Sequence, residues 1–247
     1  MSINHCRIDK FLGQHCQVNK REVRLMLAQK RVLVDGKVAL DASQVINRFS
    51  VIRIDDQIVQ ALKPTYLMLH KPVGVVSATK DDKHQTVIDL LKPHYDESLL
   101  QQLHIVGRLD LNTSGLVLLT DDSRWSSQIT SPSSKVTKLY RVTLAHKLSA
   151  DYIDTFAKGM YFDYEGITTK PAKLDIVSDH VALVSLTEGR YHQIKRMFGR
   201  FRNPIVKLHR LAVGTVQLDE SLSVGQCRKL TSEEIDSFGD IERNTEK

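Results

Sequence analysis

Leu116-Val117-Leu118-Leu119 is an unbroken apolar run between Gly115 and Thr120, and it restricts the possible folds more than any other stretch of the chain. So short a run reads as a strand rather than a helix, and a strand that is apolar at successive positions has to be buried on both faces. A sheet with packing on each side is therefore required. Tyr66-Leu67-Met68-Leu69 supplies a second apolar strand, ended by Lys71-Pro72-Val73-Gly74. Further strands are expected at 140–144, 181–186 and 213–218, and helices near 86–91, 125–130, 150–157 and 193–201. Mixed elements in irregular order predict an α+β domain over residues 66–238, built on a largely antiparallel mixed sheet flanked by helices. The charged tail, 239–247, is expected to be disordered.

Ahead of this domain, residues 1–60 read as a separate small α/β module, with 61–65, including Pro64, as a link. Apolar residues recur at helical spacing in 7–12 and 21–27 (Ile8, Phe11, Leu12; Val23, Leu25, Met26, Leu27), among basic ones. Asp35-Gly36 between Val34 and Val38 is a hairpin signal, residues 51–54 alternate as a strand, and Asn47 marks a turn before them.

The formal net charge is +6 and the basic residues are clustered, which favours an anionic partner. Between Thr187 and Arg210 stand Arg190, Lys195, Arg196, Arg200, Arg202, Lys207 and Arg210 against Glu188 alone. A second cluster occupies the N-terminal module. Two separated basic surfaces suit a long polyanion better than a small phosphate metabolite. With no basic leader before an apolar run, and no apolar stretch of spanning length, the expectation is a cytoplasmic protein with no membrane partner. Cys6, Cys16 and Cys227 lack paired metal-ligand spacing and read as packing residues. Glycine loops for nucleotides, zincin-like histidine pairs and nucleophile elbows are not found, so neither cofactor nor metal is expected.

Chemistry concentrates in His104 to Thr120. Asp110 sits between two leucines in a loop closed by Gly107 and Gly115, immediately before the buried strand. Taken locally, such an aspartate reads best as a turn residue capping its own loop.

A wider pattern reverses that reading. GRLDLNTSGLVLLT resembles the catalytic motif of pseudouridine synthases, and HKPVG at 70–74, KLYRVTL around Tyr140, TKPA at 169–172, EGRYHQIKRMF at 188–198 and LHR at 208–210 follow the family order. RIDKFLGQ and REVRLMLAQKRVLVDGK resemble the alpha-L RNA-binding module. Together these cover nearly the whole chain and are similar to the subfamily that acts on fixed ribosomal RNA sites. The departures are His70 where Asn often precedes Lys-Pro, Leu139 where Thr is usual, and Pro204 in a normally freer loop.

The resemblance implies an enzyme that turns one uridine of 16S ribosomal RNA into pseudouridine, expected at uridine 516 of that RNA, acting as a monomer on an assembling small subunit. A 23S RNA enzyme of the same subfamily and a non-catalytic ribosome-assembly factor are the alternatives. It further implies Asp110 as the catalytic carboxylate, which could attack the sugar, stabilise charge on it or abstract a proton. Burial would raise the pKa of that carboxyl, so a cation is needed beside it, and the family pattern makes this Lys195. Tyr140 would stack on the uracil. Arg108 would fill the gap left by the flipped nucleotide. Arg190, His192, Gln193 and Arg196 would shape the pocket or contact phosphate, and Lys10, Lys20, Arg21 and Arg24 would anchor RNA from the first module.

Overall fold

The computed structural model describes residues 5–163 and 165–239, and the chain divides between Pro64 and Thr65 into two compact units. From residue 240 onward the expected disordered tail lies outside the described residues.

In the first unit, helices α1 (Ile8–His15) and α2 (Lys20–Ala28) precede strands β1 (Val32–Val34), β2 (Lys37–Val38), β3 (Ile52–Ile54) and β4 (Gln57–Gln60). The strands form an antiparallel sheet in the order β2-β1-β3-β4. A capping box starts α2: the Asn19 side chain accepts from the Arg21 and Glu22 amides, while Glu22 accepts from the Asn19 amide at 2.8 Å. Asp35 and Gly36 have φ of 50° and 76°, the left-handed pair that a two-residue hairpin demands. Asn47 does form a turn, accepting from the Phe49 and Ser50 amides. The inward helical residues (Ile8, Leu12, Val23, Leu27) pack on Val32 and Ile52, which leaves the basic residues of both helices outside.

The second unit contains β5 (Tyr66–Lys71), β6 (His104–Val106), β7 (Ser114–Thr120), α3 (Ser123–Thr130), β8 (Lys138–Leu144) and α4 (Asp151–Lys158). It continues with β9 (Lys173–Ser178), β10 (Val181–Leu186), α5 (Gln193–Gly199), β11 (Ile205–Val213), β12 (Val216–Gln217) and β13 (Cys227–Lys229). Among the described residues nine strands make one sheet, with the path β9-β10-β8-β11-β7-β5-β13, β12 pairing with β11 and β6 with β7. Its pairings are antiparallel except β7 with β11, which run parallel where Ser114 meets His209 and Gly115 meets Arg210. The fold is thus α+β on a mixed, largely antiparallel sheet. No described helix is long and apolar enough to cross a membrane.

The apolar run in β7 is buried on both faces. Leu116 and Leu118 pack with Trp125 and Ile129, while Val117 and Leu119 pack with Val87 and Leu91. A third cluster, around Phe156, Met197 and Phe198, covers the β8–β10 half of the sheet, and Tyr140 touches both this cluster and the one containing Val117.

Two expected elements differ. The strand at 213–218 is the end of β11, a turn at Gly214 (φ 59°) and the short β12. Near 86–91 a single 3-10 turn, Asp89–Leu91, replaces the helix. Asp89 there accepts from both the amide and the hydroxyl of Thr86, and the Thr86 hydroxyl accepts the Asp89 amide, a local closure that competes with helix propagation.

Candidate active site

The loop between β6 and β7 carries Asp110, and contacts along its whole length hold it. Leu109 is buried in the core, its amide donating to Ser77 Oγ at 3.0 Å. The Leu111 carbonyl accepts the Gly74 amide at 2.9 Å, and the Asp110 carbonyl accepts the Thr113 amide at 3.0 Å. Between fixed neighbours the Asp110 side chain projects into a cleft of about 90 Å³, lined also by Tyr140, His192, Lys195 and Arg108.

Helix α5 meets this loop at its N-terminal end. His192, in the left-handed conformation with φ 49°, precedes the first turn and places Nε2 3.4 Å from Asp110 Oδ2. One turn on, Lys195 Nζ stands 3.1 Å from the same oxygen. The Asp110 side chain is 34% exposed, so the lysine opposes a carboxylate at a cleft mouth rather than one sealed in the core. Glu188 organises the approach to the helix. It accepts from the Lys170 amide, from Gln193 Nε2 at 2.7 Å and from Arg190 Nε at 3.1 Å.

Two buried cations brace the Asp110 loop from below. Lys71 is fully buried and donates to the carbonyls of Pro72 at 2.8 Å and Thr113 at 2.7 Å. Arg210, 2% exposed, donates through Nε to the Leu116 carbonyl and through Nη2 to the Gly107 carbonyl, both at 2.7 Å. Carbonyl dipoles are the partners here because a buried charge must be satisfied by polar groups wherever it stands. Beside them the Thr113 hydroxyl is buried without a hydrogen-bond partner, and Thr113 lines the Asp110 cleft.

Burial, reinforced by the charge of Arg210, pushes Lys71 down to about 8, against the upward pull of Asp110. Below that pH the lysine is protonated folded and unfolded alike, and the fold carries the cost of a buried ammonium. Between about 8 and the ordinary 10.5 the unfolded chain keeps a proton that the folded one sheds, so this group's contribution to stability rises with pH. Measured against Lys71→Met in thermal unfolding from pH 7 to 10, the wild type should gain roughly 1–3 kcal/mol on the variant. A constant gap would mean that Lys71 does not titrate in that range.

Of the residues marked by sequence, Asp110, Tyr140, Lys195, Arg108, Arg190, His192 and Gln193 line the one cleft. Gln193 is buried and Arg190 is paired with Glu188, so both hold the loop. Arg196 stands apart: adjacent helical positions point about 100° from one another, and its guanidinium pairs with Glu165 while lying 3.8 Å over the Phe162 ring. Lys10, Lys20, Arg21 and Arg24 belong to the first unit, exposed on the outer faces of α1 and α2. Lys71, Arg210 and Thr113 lie within the HKPVG, LHR and GRLDLNTSG segments, where the sequence alone gives them no role. No pattern marked the first two, since His70 precedes Lys71 in β5 and Lys207 and His209 precede Arg210 in β11.

Residues 65–199 match the family model described as RNA pseudouridylate synthase. The chain is 43% identical to the ribosomal small subunit pseudouridine synthase A of Pseudomonas aeruginosa over 230 residues, covering 93% of this chain and 98% of that one. To the protein of the same description from Escherichia coli K12 it is 40% identical over 232 residues, covering 94% and 99%. A solved structure titled as a crystal structure of pseudouridylate synthase superposes with a TM-score of 0.67 at 38% identity, covering 94% of this chain and 99% of that one.

Proposed function

Because the chain belongs to the RNA pseudouridylate synthase family, we propose that it isomerises a single uridine of 16S ribosomal RNA, at position 516 of that RNA, with Asp110 as the catalytic carboxylate. One observation carries the assignment of the site: Asp110 lies with Lys195 3.1 Å and His192 3.4 Å away, in a cleft that Tyr140 and Arg108 also line.

Pseudouridine formation breaks the bond between N1 and the ribose C1′ and makes one from C5 to C1′. The proton on C5 is lost, N1 gains one, and no electrons enter or leave. The target atoms are out of reach in a stacked helix, so the nucleotide turns out into the cleft. Attack on C1′, stabilisation of positive charge there and removal of the C5 proton all call for a carboxylate against the extruded nucleoside. Lys195 opposes its charge, Tyr140 offers a ring face to the uracil, and Arg108 at the rim takes the vacated space. The exposed cations of α1 and α2 suit phosphate contacts that position the RNA. No described residues cluster as metal ligands, and each of these steps can be written with side chains alone.

The test is a map of pseudouridine in 16S and 23S RNA from cells with and without the gene. Loss of one 16S site, recovered with the wild-type gene, is the expected result. Loss of a 23S site would move the target to the large subunit, and unchanged maps in both RNAs would leave only a binding role.

A further inference from the structure

A second, larger cavity opens beside the Asp110 cleft. It measures about 490 Å³ against about 90 Å³, within the range of sites that enclose a whole small ligand. Arg108, Tyr140, Gly189 and Arg190 line both, so a ligand chain leaving one space enters the other.

Its walls carry basic side chains of two kinds. Arg190, on the wall, is paired with Glu188, as Arg196 and Arg228 elsewhere are paired with carboxylates. Arg108, Lys138 and Lys170 line the cavity, and among the described residues none of them has a carboxylate partner. Lys138 is partly buried, and burial together with Arg210 and Lys170 pushes its pKa down from the usual lysine value. Three cations thus line one cavity without a carboxylate of their own. The carboxylate at the rim, Glu188, is already engaged by Gln193, Arg190 and the Lys170 amide. Ile129, Pro132 and Val213 give the lining an apolar part, Val213 lying beside Lys138 across the β8–β11 pairing.

We propose that this cavity is a second nucleotide subsite: it takes the residue next in the RNA chain to the target uridine, with the phosphodiester against Lys138 and Lys170 and the base on the wall of Ile129 and Pro132. The inference rests on the reading that the chain acts on RNA and deepens it by giving the neighbouring nucleotide a place. Free inorganic phosphate would satisfy the lysines yet leave the apolar wall and the continuity with the Asp110 cleft without use.

Fluorescence anisotropy with the full chain and a short 16S fragment containing the target uridine tests it. Each phosphate flanking the target is replaced in turn by a neutral methylphosphonate. Lys138→Gln should weaken binding roughly ten-fold and lower the slope of log affinity against log salt by about 1. One methylphosphonate adjacent to the target should cost the wild type a similar factor and cost Lys138→Gln nothing further. Lys170→Gln, at an exposed position that tolerates change, should show the same non-additivity at the same phosphate. If both variants bind like the wild type, or if their effects multiply with methylphosphonates at every position, the subsite is wrong. Competition by inorganic phosphate, with no position dependence along the RNA, would reduce it to a small-anion site. Since the readout is binding, a wild type that binds this RNA but makes no pseudouridine would sink the proposed reaction without touching the subsite.

Discussion

Asp110→Asn should abolish pseudouridine formation, lowering the single-turnover rate at saturating RNA by at least about 10³-fold, while RNA affinity stays within about three-fold of wild type. The substitution keeps shape and replaces one carboxylate oxygen by an amide that neither attacks carbon nor accepts a proton at useful rates. Packing should be undisturbed, because the Asp110 loop is held by Leu109, Ser77, Lys71 and Arg210 rather than by the carboxylate itself. Losing a negative charge from a surface that meets phosphates should, if anything, tighten binding slightly. Formation and dissociation of a labelled RNA complex, followed beside tritium release from C5, separate the two quantities. A variant that keeps more than a tenth of the wild-type rate would exclude Asp110 as the reacting carboxylate.

Gly115→Ala should be the most damaging single-methyl change near the site. Gly115 has φ of 112°, and a Cβ there would lie 2.3 Å from the carbonyl oxygen and 2.6 Å from the amide nitrogen of Arg210. Both contacts are backbone, in the parallel pairing of β7 with β11, so no side chain can swing aside. Left-handed strain and steric overlap together should cost about 3–5 kcal/mol, a fall in melting temperature of roughly 10 °C or more. Activity measured well below the melting point should fall as well, because the strand that moves carries Arg210, which holds Gly107 and Leu116. Unchanged melting would show that the two strands are farther apart than 2.3 Å implies.

Much of this architecture was legible in the chain. The doubly buried β7, the hairpin at Asp35-Gly36 and the amphipathic helices α1 and α2 follow from local patterns of apolar residues and turn chemistry. The GRLD and HQIKRM segments marked Asp110 and Lys195, which α5 brings to 3.1 Å. Other features hinge on pairings distant in sequence. Strand β11, Ile205–Val213, was hidden because Lys207, His209 and Arg210 interrupt its apolar pattern. Arg210 is tolerated inside because it bonds carbonyls about a hundred residues earlier in the chain. Lys71 is likewise matched to Thr113. A carbonyl leaves no trace in the residue alphabet, so a buried cation satisfied by backbone cannot be told from a surface one by its letter. The divergence of Lys195 from Arg196 is legible from helical geometry alone, yet the destination of Arg196 depended on Glu165, thirty-one positions away and on no repeating pattern.

The carbonyl braces at Lys71 and Arg210 separate two responses to ionic strength. Small ions screen charges that face water, and do so over about 8–10 Å at ordinary concentrations, but they have no access to a guanidinium or ammonium closed inside a sheet. Added electrolyte should therefore loosen the hold of this molecule on a polyanion while leaving the carriage beneath the Asp110 loop as rigid as before: encounter is tunable, alignment is not.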